Sequence, residues 1–223
     1  MNRVVSWILA AVMALTTFFG YMGEERCPMP EQFTLRGKTI AMTYTPGLGL
    51  LDINVGGETW SWKKAPYLAG VSNIDYPFSL AKCLGCREES TPDETGVYAD
   101  YTHFGTVFGP YYDMVVHTFA GVAAGTDDVL FRVWVENEPE KNYKISFPAP
   151  FAFGAQKGRG YTVLPLSQGA LIPARLDAAM AFEGAKIFSR EAYMPVFGQV
   201  RDTTGYAAIF DTPYDARYSV EHK

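Results

Sequence analysis

From Phe33 onward the chain alternates apolar and polar residues with a period of two, and Gly or Pro interrupts nearly every run. Successive side chains of a strand point to opposite faces of a sheet, so this pattern builds half-buried strands and not amphipathic helices. Phe33 and Leu35, then Ile40, Met42 and Tyr44, alternate with polar partners until Pro46-Gly47-Leu48-Gly49 stops the run. Leu51, Ile53 and Val55 alternate again, and Gly56-Gly57 joins them to Thr59-Trp60-Ser61-Trp62. Two glycines between such runs predict a tight hairpin, because both central residues can take positive φ. Val115, His117 and Phe119 interleave with Val116, Thr118 and Ala120, which predicts a strand covered on both faces. Asp127-Asp128 turns into Val129–Glu136, where Phe131, Val133 and Val135 share one face. Tyr143, Ile145 and Phe147 form the next strand before Pro148 and Pro150 end it.

The polar segment 154–160, GAQKGRG, reads as a loop between the two halves of the pattern. Short strands follow at Tyr161–Leu166, Ala170–Pro173, Lys186–Ser189, Val196–Val200 and Tyr206–Asp211, with one short helix expected over Ala174–Glu183. The stretch Tyr161–Tyr214 holds no His and no Cys, so it carries architecture without obvious chemistry. Roughly ten or more short strands separated by turn signals predict an all-β antiparallel β-sandwich. With hydrophobic residues at 48% and aromatics at 15%, the chain has ample material for a core and is not disordered.

The N-terminus reads as an export segment. Arg3 precedes an uncharged, mostly apolar run from Val4 to Gly23, which meets Glu24 and Glu25. The run is about 20 residues long, the length of a membrane span, so an uncleaved anchor is the alternative to a cleaved signal peptide. The expected organisation is residues 1–23 as signal peptide or membrane anchor, 24–32 as linker and 33–223 as the β-sandwich. A basic residue before the run and acidic ones after it place the bulk of the chain outside the cytoplasm, secreted or at the cell surface. Membrane contact is expected only through residues 4–23. Cys27 lacks the small apolar neighbours of a lipidated cysteine, which disfavours a lipoprotein. A net charge of −5, with Lys63-Lys64 as the longest basic run, excludes a nucleic-acid partner.

Three cysteines are few for a secreted scaffold, and Cys83-Leu84-Gly85-Cys86 holds the one close pair. A zinc knuckle needs a second Cys or His pair at similar spacing, and His103 and His117 are not so arranged. A redox pair needs to open a helix in a βαβ unit, and the flanks here are Tyr76-Pro77-Phe78 and a polar Glu88–Glu94 loop. A local disulfide, or two inert thiols in a loop, fits best. Gly37-Lys38-Thr39 ends like a phosphate-binding loop, but Gln32 stands where the first glycine belongs. Gly47 and Gly49 begin a dinucleotide fingerprint that fails at Asp52. No G-x-S-x-G and no H-E-x-x-H occurs. No metal and no cofactor is therefore assigned.

The histidines are His103, His117 and His222, and a lone His on an apolar strand such as His117 is more often a satisfied rim residue than a catalyst. Glycoside hydrolysis needs two facing carboxylates, but Asp100, Asp113, Glu191, Asp202 and Asp211 cannot be paired by spacing alone. The aromatics near turns, Trp60, Trp62, Tyr111, Tyr112 and Tyr193, are better guides to ligand class, because flat rings at sheet edges stack on sugars. They are also ordinary core residues. Trp60 and Trp62 share one strand face, so they stack outward together or pack inward together. Trp60, Trp62 and Tyr193 are the carbohydrate-binding candidates, and no catalytic residue is assigned.

The segments Gly160–Pro173 (GYTVLPLSQGALIP), Met194–Gly198 (MPVFG) and Gly205–Pro213 (GYAAIFDTP) resemble those of large bacterial glycosidases of the endo-α-N-acetylgalactosaminidase type. In that family a galactose-mutarotase-like super-sandwich precedes a catalytic TIM barrel. Phe33–Trp62 is similar to its first hairpins and Asp128–Pro150 to its central strands. The resemblance implies an antiparallel β-super-sandwich that is incomplete at its C-terminus. It places the acid and nucleophile carboxylates in a barrel for which no βα repeat is present, so no catalytic residue carries over and a fragment is expected. The implied function is the non-catalytic N-terminal domain of an exported carbohydrate-active enzyme, with a glycan and the absent barrel domain as partners. Two alternatives stand beside it: a self-contained sugar epimerase or lyase using His103 or His117 for proton transfer, and an anchored surface protein that binds a partner through its sheet faces.

Overall fold

The computed structural model describes residues 32–48, 50–62, 66–69, 75–104, 112, 114–140, 142–148, 160–165, 170–173, 186–188, 196–201, 203–211 and 219–221. These residues form antiparallel strands and two single-turn 3-10 helices, Pro46–Leu48 and Phe78–Leu80, with no α-helix among them. The chain divides into two compact units, Met1–Ala152 and Phe153–Lys223.

In the first unit, β1 (Phe33–Arg36), β2 (Ile40–Thr45), β3 (Leu50–Val55) and β4 (Glu58–Trp62) pair in sequence order as an antiparallel meander. Gly56 and Gly57 form the β3–β4 turn with φ of 58° and 86°, the double positive φ that the sequence predicts. Phe33, Leu35, Ile40, Met42, Tyr44, Leu51 and Trp60 are buried on one side. A second meander, β7 (Lys82–Ser90), β8 (Glu94–Thr102), β9 (Val115–Ala123) and β10 (Val129–Glu136), has the order β10-β9-β8-β7 and leaves β7 at an edge. A small sheet of β11 (Lys144–Ser146), β5 (Tyr67–Ala69) and β6 (Tyr76–Pro77) completes the unit.

The core lies where the inward face of β7–β10 meets its neighbours. Val97, Ala99, Tyr101, Val116, Thr118, Ala120 and Val122 are buried there. Leu68, Tyr76, Phe78, Phe104 and Met114 cluster with Tyr101 and Val116, and the Phe78 ring stands 4.8 Å from that of Tyr101. The Tyr101 hydroxyl donates to the Pro46 carbonyl at 2.8 Å, which anchors the turn that ends β2. Asp127, in the β9–β10 turn, accepts from the Thr39 amide at 2.7 Å, the Thr39 hydroxyl at 2.5 Å and the Ile40 amide at 3.2 Å. A side chain at Gly37 would run into Asp127 and the Thr126 carbonyl, so this turn-to-turn clasp depends on a glycine.

Two expectations are corrected here. Cys83 and Cys86 do not sit in a loop, and no disulfide joins them; both stand on β7, and Cys83 is buried. The register shifts between Cys83 and Gly85, so that Leu84 is the extra residue of a bulge. Glu88–Ser90, read as loop, also belong to β7, because an edge strand exposed to water keeps charged side chains without cost to its pairing.

In the second unit, β12 (Gly160–Leu164), β13 (Ala170–Pro173), β15 (Val196–Arg201) and β16 (Thr204–Ile209) form a sheet in the order β13-β12-β15-β16, and β14 (Lys186–Phe188) pairs with β17 (Ser219–Glu221). Thr162, Gln199 and Tyr206 lie in cross-strand register on one face beside buried Leu164 and Ile172. Tyr206 donates to Gln199 Oε1 at 2.8 Å. The opposite face exposes Tyr161, Val163, Leu171, Val200 and Ile209. Residues 174–183, where a helix is expected, and 154–159 of the expected loop lie outside the described residues.

Candidate functional site

Alternation along β8, β9 and β10 sends one set of side chains to the core and the other to the opposite face of the sheet. On β10 the core-side set is Phe131, Val133 and Val135, so Arg132, Trp134 and Glu136 point the other way. Register then arranges that face in two cross-strand rows. Trp134, His117, Asp100 and Gly85 stand opposite one another in the first row. Arg132, Phe119, Tyr98 and Arg87 form the second. The bulge at Leu84 sets the register that brings Arg87 into line with Tyr98.

The first row is built on a hydrogen bond. His117 Nδ1 lies 2.8 Å from Asp100 Oδ1, so the ring donates to the carboxylate through this nitrogen. Nε2 on the other side of the ring is 3.6 Å from Glu136 Oε1. Arg87 Nη1 is 3.6 Å from the second oxygen of Asp100. Trp134 lies nearly parallel to the imidazole, with ring centres 5.2 Å apart and planes 15° apart, and meets Tyr98 edge-on at 6.3 Å. Trp134 remains 41% exposed although it is held by two rings.

The second row is held by stacked cations and rings. Arg87 sits 4.9 Å over the Tyr98 ring and Arg132 4.6 Å over the Phe119 ring. Phe119 is buried although it points away from the core, because Gly96 and Gly121 flank it: a Cβ at either glycine would collide with its ring. Arg132 makes a two-pronged ion pair with Glu94 at 2.6 Å for each contact, and this hydrogen bonding draws the Glu94 carboxyl below the ordinary value. Arg87 pairs with Glu89 at 2.6 Å, which strengthens its hold on its proton. The arrangement offers a fixed aromatic plate beside hydrogen-bonding groups that accept and donate.

Of the residues singled out from sequence, the structure brings His117 and Asp100 together in this site. Trp60 is elsewhere: it is only 3% exposed and packs inward in the β1–β4 sheet, so its ring has no open face. Trp62 ends β4 opposite Leu51, and its side chain lies outside the described residues. Tyr193, Tyr111, Asp113, Glu191, Asp202 and His222 also lie outside them. Tyr112 bridges to Phe104 and touches Tyr76 edge-on at 6.0 Å, an internal contact. His103 takes a positive φ of 55° just after β8. Asp211 is exposed beyond β16. Trp134, Tyr98, Arg87, Arg132 and Glu136 were missed, although the face complementary to Phe131, Val133 and Val135 follows from the same alternation. Among the described residues no group of three or more His, Cys, Asp or Glu side chains is placed to hold a metal, and no helix is long and apolar enough to cross a membrane.

No family model matches the chain, and no curated protein matches it. The fold defines an all-β domain of antiparallel sheets, and its likeness is to part of a large bacterial glycosidase. The chain is similar to the α-N-acetylgalactosaminidase NagBb from Bifidobacterium bifidum: a quadruple mutant superposes with a TM-score of 0.68 at 21% identity, over 86% of this chain and 31% of that one. The GalNAc complex of the same enzyme gives 0.67 at 22% identity with the same coverage, and the ligand-free form 0.64 at 22%, over 86% and 30%. The chain thus spans about a third of the length of the structures it matches.

Proposed function

We propose that this chain is a non-catalytic, galactose-mutarotase-like β-sandwich from the N-terminal part of an exported carbohydrate-active enzyme, where it supports a glycosidase barrel and contacts glycan. The observation that carries the reading is the fold likeness over 86% of the chain to 31% of an α-N-acetylgalactosaminidase. The apolar run Val4–Gly23 between Arg3 and Glu24 supports export, to the cell surface or beyond it. The domain acts outside the cytoplasm, its partners being a glycan and the barrel. The test has two arms on the full chain. Incubation with aryl α-N-acetylgalactosaminides is expected to release no phenol, and release would overturn the non-catalytic role. Retention on a glycan panel is expected, and no retention on any glycan would leave only the scaffold role.

A second reading is favoured by the 2.8 Å contact between His117 and Asp100, which orients the imidazole as in a proton-transfer pair. Under it the chain is a sugar epimerase or lyase with His117 or His103 moving the proton. Faster interconversion of the anomers of free sugars, or solvent-deuterium uptake at the carbon next to a carbonyl or carboxyl group, would reveal this activity, and a rate unchanged in His103→Ala/His117→Ala would remove it.

A further inference from the structure

We propose that the outward face of β8–β10 is a binding subsite for an uncharged pyranose, with Trp134 as its platform and Asp100 and Arg87 as its hydroxyl contacts. This rests on the glycan-contact part of the proposed function and assigns it to residues other than Trp60, Trp62 and Tyr193.

Shape, order and charge each point to this ligand. Trp134 is 41% exposed, so part of a large aromatic side chain stays open to the apolar face of a sugar. His117 stacks on the indole and Tyr98 meets it edge-on, and Trp134 keeps that exposure with both rings in place. His117 and Tyr98 together fix the plate before any ligand arrives, so binding does not have to freeze it. Asp100 stands in the same row on the far side of His117, is partly exposed and keeps acceptor capacity beyond its bond to His117, while Arg87 reaches the same carboxylate. Carboxylate and guanidinium side by side suit vicinal hydroxyls, each of which both donates and accepts.

Charge selects against acidic sugars. The face and its margin carry Asp100, Glu136, Glu94 and Glu89 against Arg87, Arg132 and Lys82. Both arginines are already engaged, Arg132 with both oxygens of Glu94 and Arg87 with Glu89. A uronate or sialate would meet an excess of negative charge and arginines whose charge is already balanced by carboxylates, whereas Arg87 keeps N–H donors that a neutral hydroxyl can use.

Titration of the full chain with neutral methyl pyranosides and disaccharides, and with their uronic acid counterparts, tests the assignment by calorimetry and by chemical-shift change at the Trp134 indole N–H. The neutral sugars are expected to bind at least about tenfold more tightly than the acids, and Trp134→Ala to lose at least about tenfold in affinity. Trp134→Phe, which keeps a ring, is expected to fall between, and circular dichroism and melting of both variants check that the sheet is intact. Binding unchanged in Trp134→Ala and Asp100→Asn would overturn the subsite and leave glycan contact elsewhere on the chain. A preference for the acids would also overturn it. Failure of the wild-type chain to bind any sugar would overturn the subsite and the glycan-contact reading together.

Discussion

His117 on β9 and Asp100 on β8 face each other in register and are joined by a 2.8 Å contact between Nδ1 and Oδ1. The bond fixes the imidazole on which Trp134 lies, so it also sets the posture of the indole. Removing the carboxylate in Asp100→Ala is expected to cost about 1–2 kcal/mol, since a part-buried ring nitrogen loses its acceptor. Chemical denaturation measures the loss. The Trp134 emission is expected to move to longer wavelength, and an unchanged spectrum would mean that His117 does not hold the plate.

Phe119 and Gly96 are coupled by space. Gly96→Ala is expected to destabilise the fold by about 1–3 kcal/mol, because the added methyl overlaps the Phe119 ring. Phe119→Ala alone is expected to cost about 3–5 kcal/mol. The double variant should cost less than the sum of the two, since each change relieves the other, and strict additivity in a double-mutant cycle would contradict the packing described.

Two carboxylates link stability to acid. Hydrogen bonding from Arg132 lowers the Glu94 value from its ordinary 4.5, and that from Thr39 lowers the Asp127 value from 3.8. A carboxyl whose folded value is depressed contributes stability that is fully present above the unfolded value and is lost as pH falls through the folded one. Urea unfolding followed from pH 6 to pH 2 should therefore show a decline that begins near 4.5. The slope should be shallower in Glu94→Gln and in Asp127→Asn.

Alkali acts on a different group. Burial pushes the Tyr44 phenol from 10.0 up to about 12. A raised folded value contributes stability that is present below 10 and is lost as pH rises through the folded value. Stability measured between pH 10 and 12 should fall in the native chain and fall less in Tyr44→Phe.

The second unit predicts a solubility effect. Leu171 and Ile209 are 67% and 72% exposed, on the same sheet face as Tyr161, Val163 and Val200. Leu171→Lys with Ile209→Lys should reduce binding of an apolar dye and raise solubility, with stability changed by no more than about 0.5 kcal/mol. Strong destabilisation would mean that these side chains are packed.

Much of the fold was legible in the sequence because period two and turn chemistry are local. Gly56-Gly57 made its hairpin, Val129–Glu136 became a strand with the bounds expected, and β9 is buried on both faces. The Cys83–Ser90 strand was not legible: its polar run resembles a loop, and an edge strand needs no apolar alternation to pair. The site was half legible. His117 and Asp100 stood out as residues, but their contact depends on β8–β9 register, and Trp134 joins them only through β9–β10 register. Alternation also left the direction of Trp60 open, and burial in the β1–β4 sheet decided it inward. Asp127 reaches Thr39 across 88 positions, a distance at which local pattern is silent.

The edge strand β7 carries Lys82, Arg87, Glu88 and Glu89 and is broken by the bulge at Leu84. Such an edge is a poor template for another chain, because an incoming strand would meet charge and an interrupted ladder. The sheet that bears Trp134 is closed to growth on that side. A molecule that approaches it there has to be read by side chains rather than by backbone pairing.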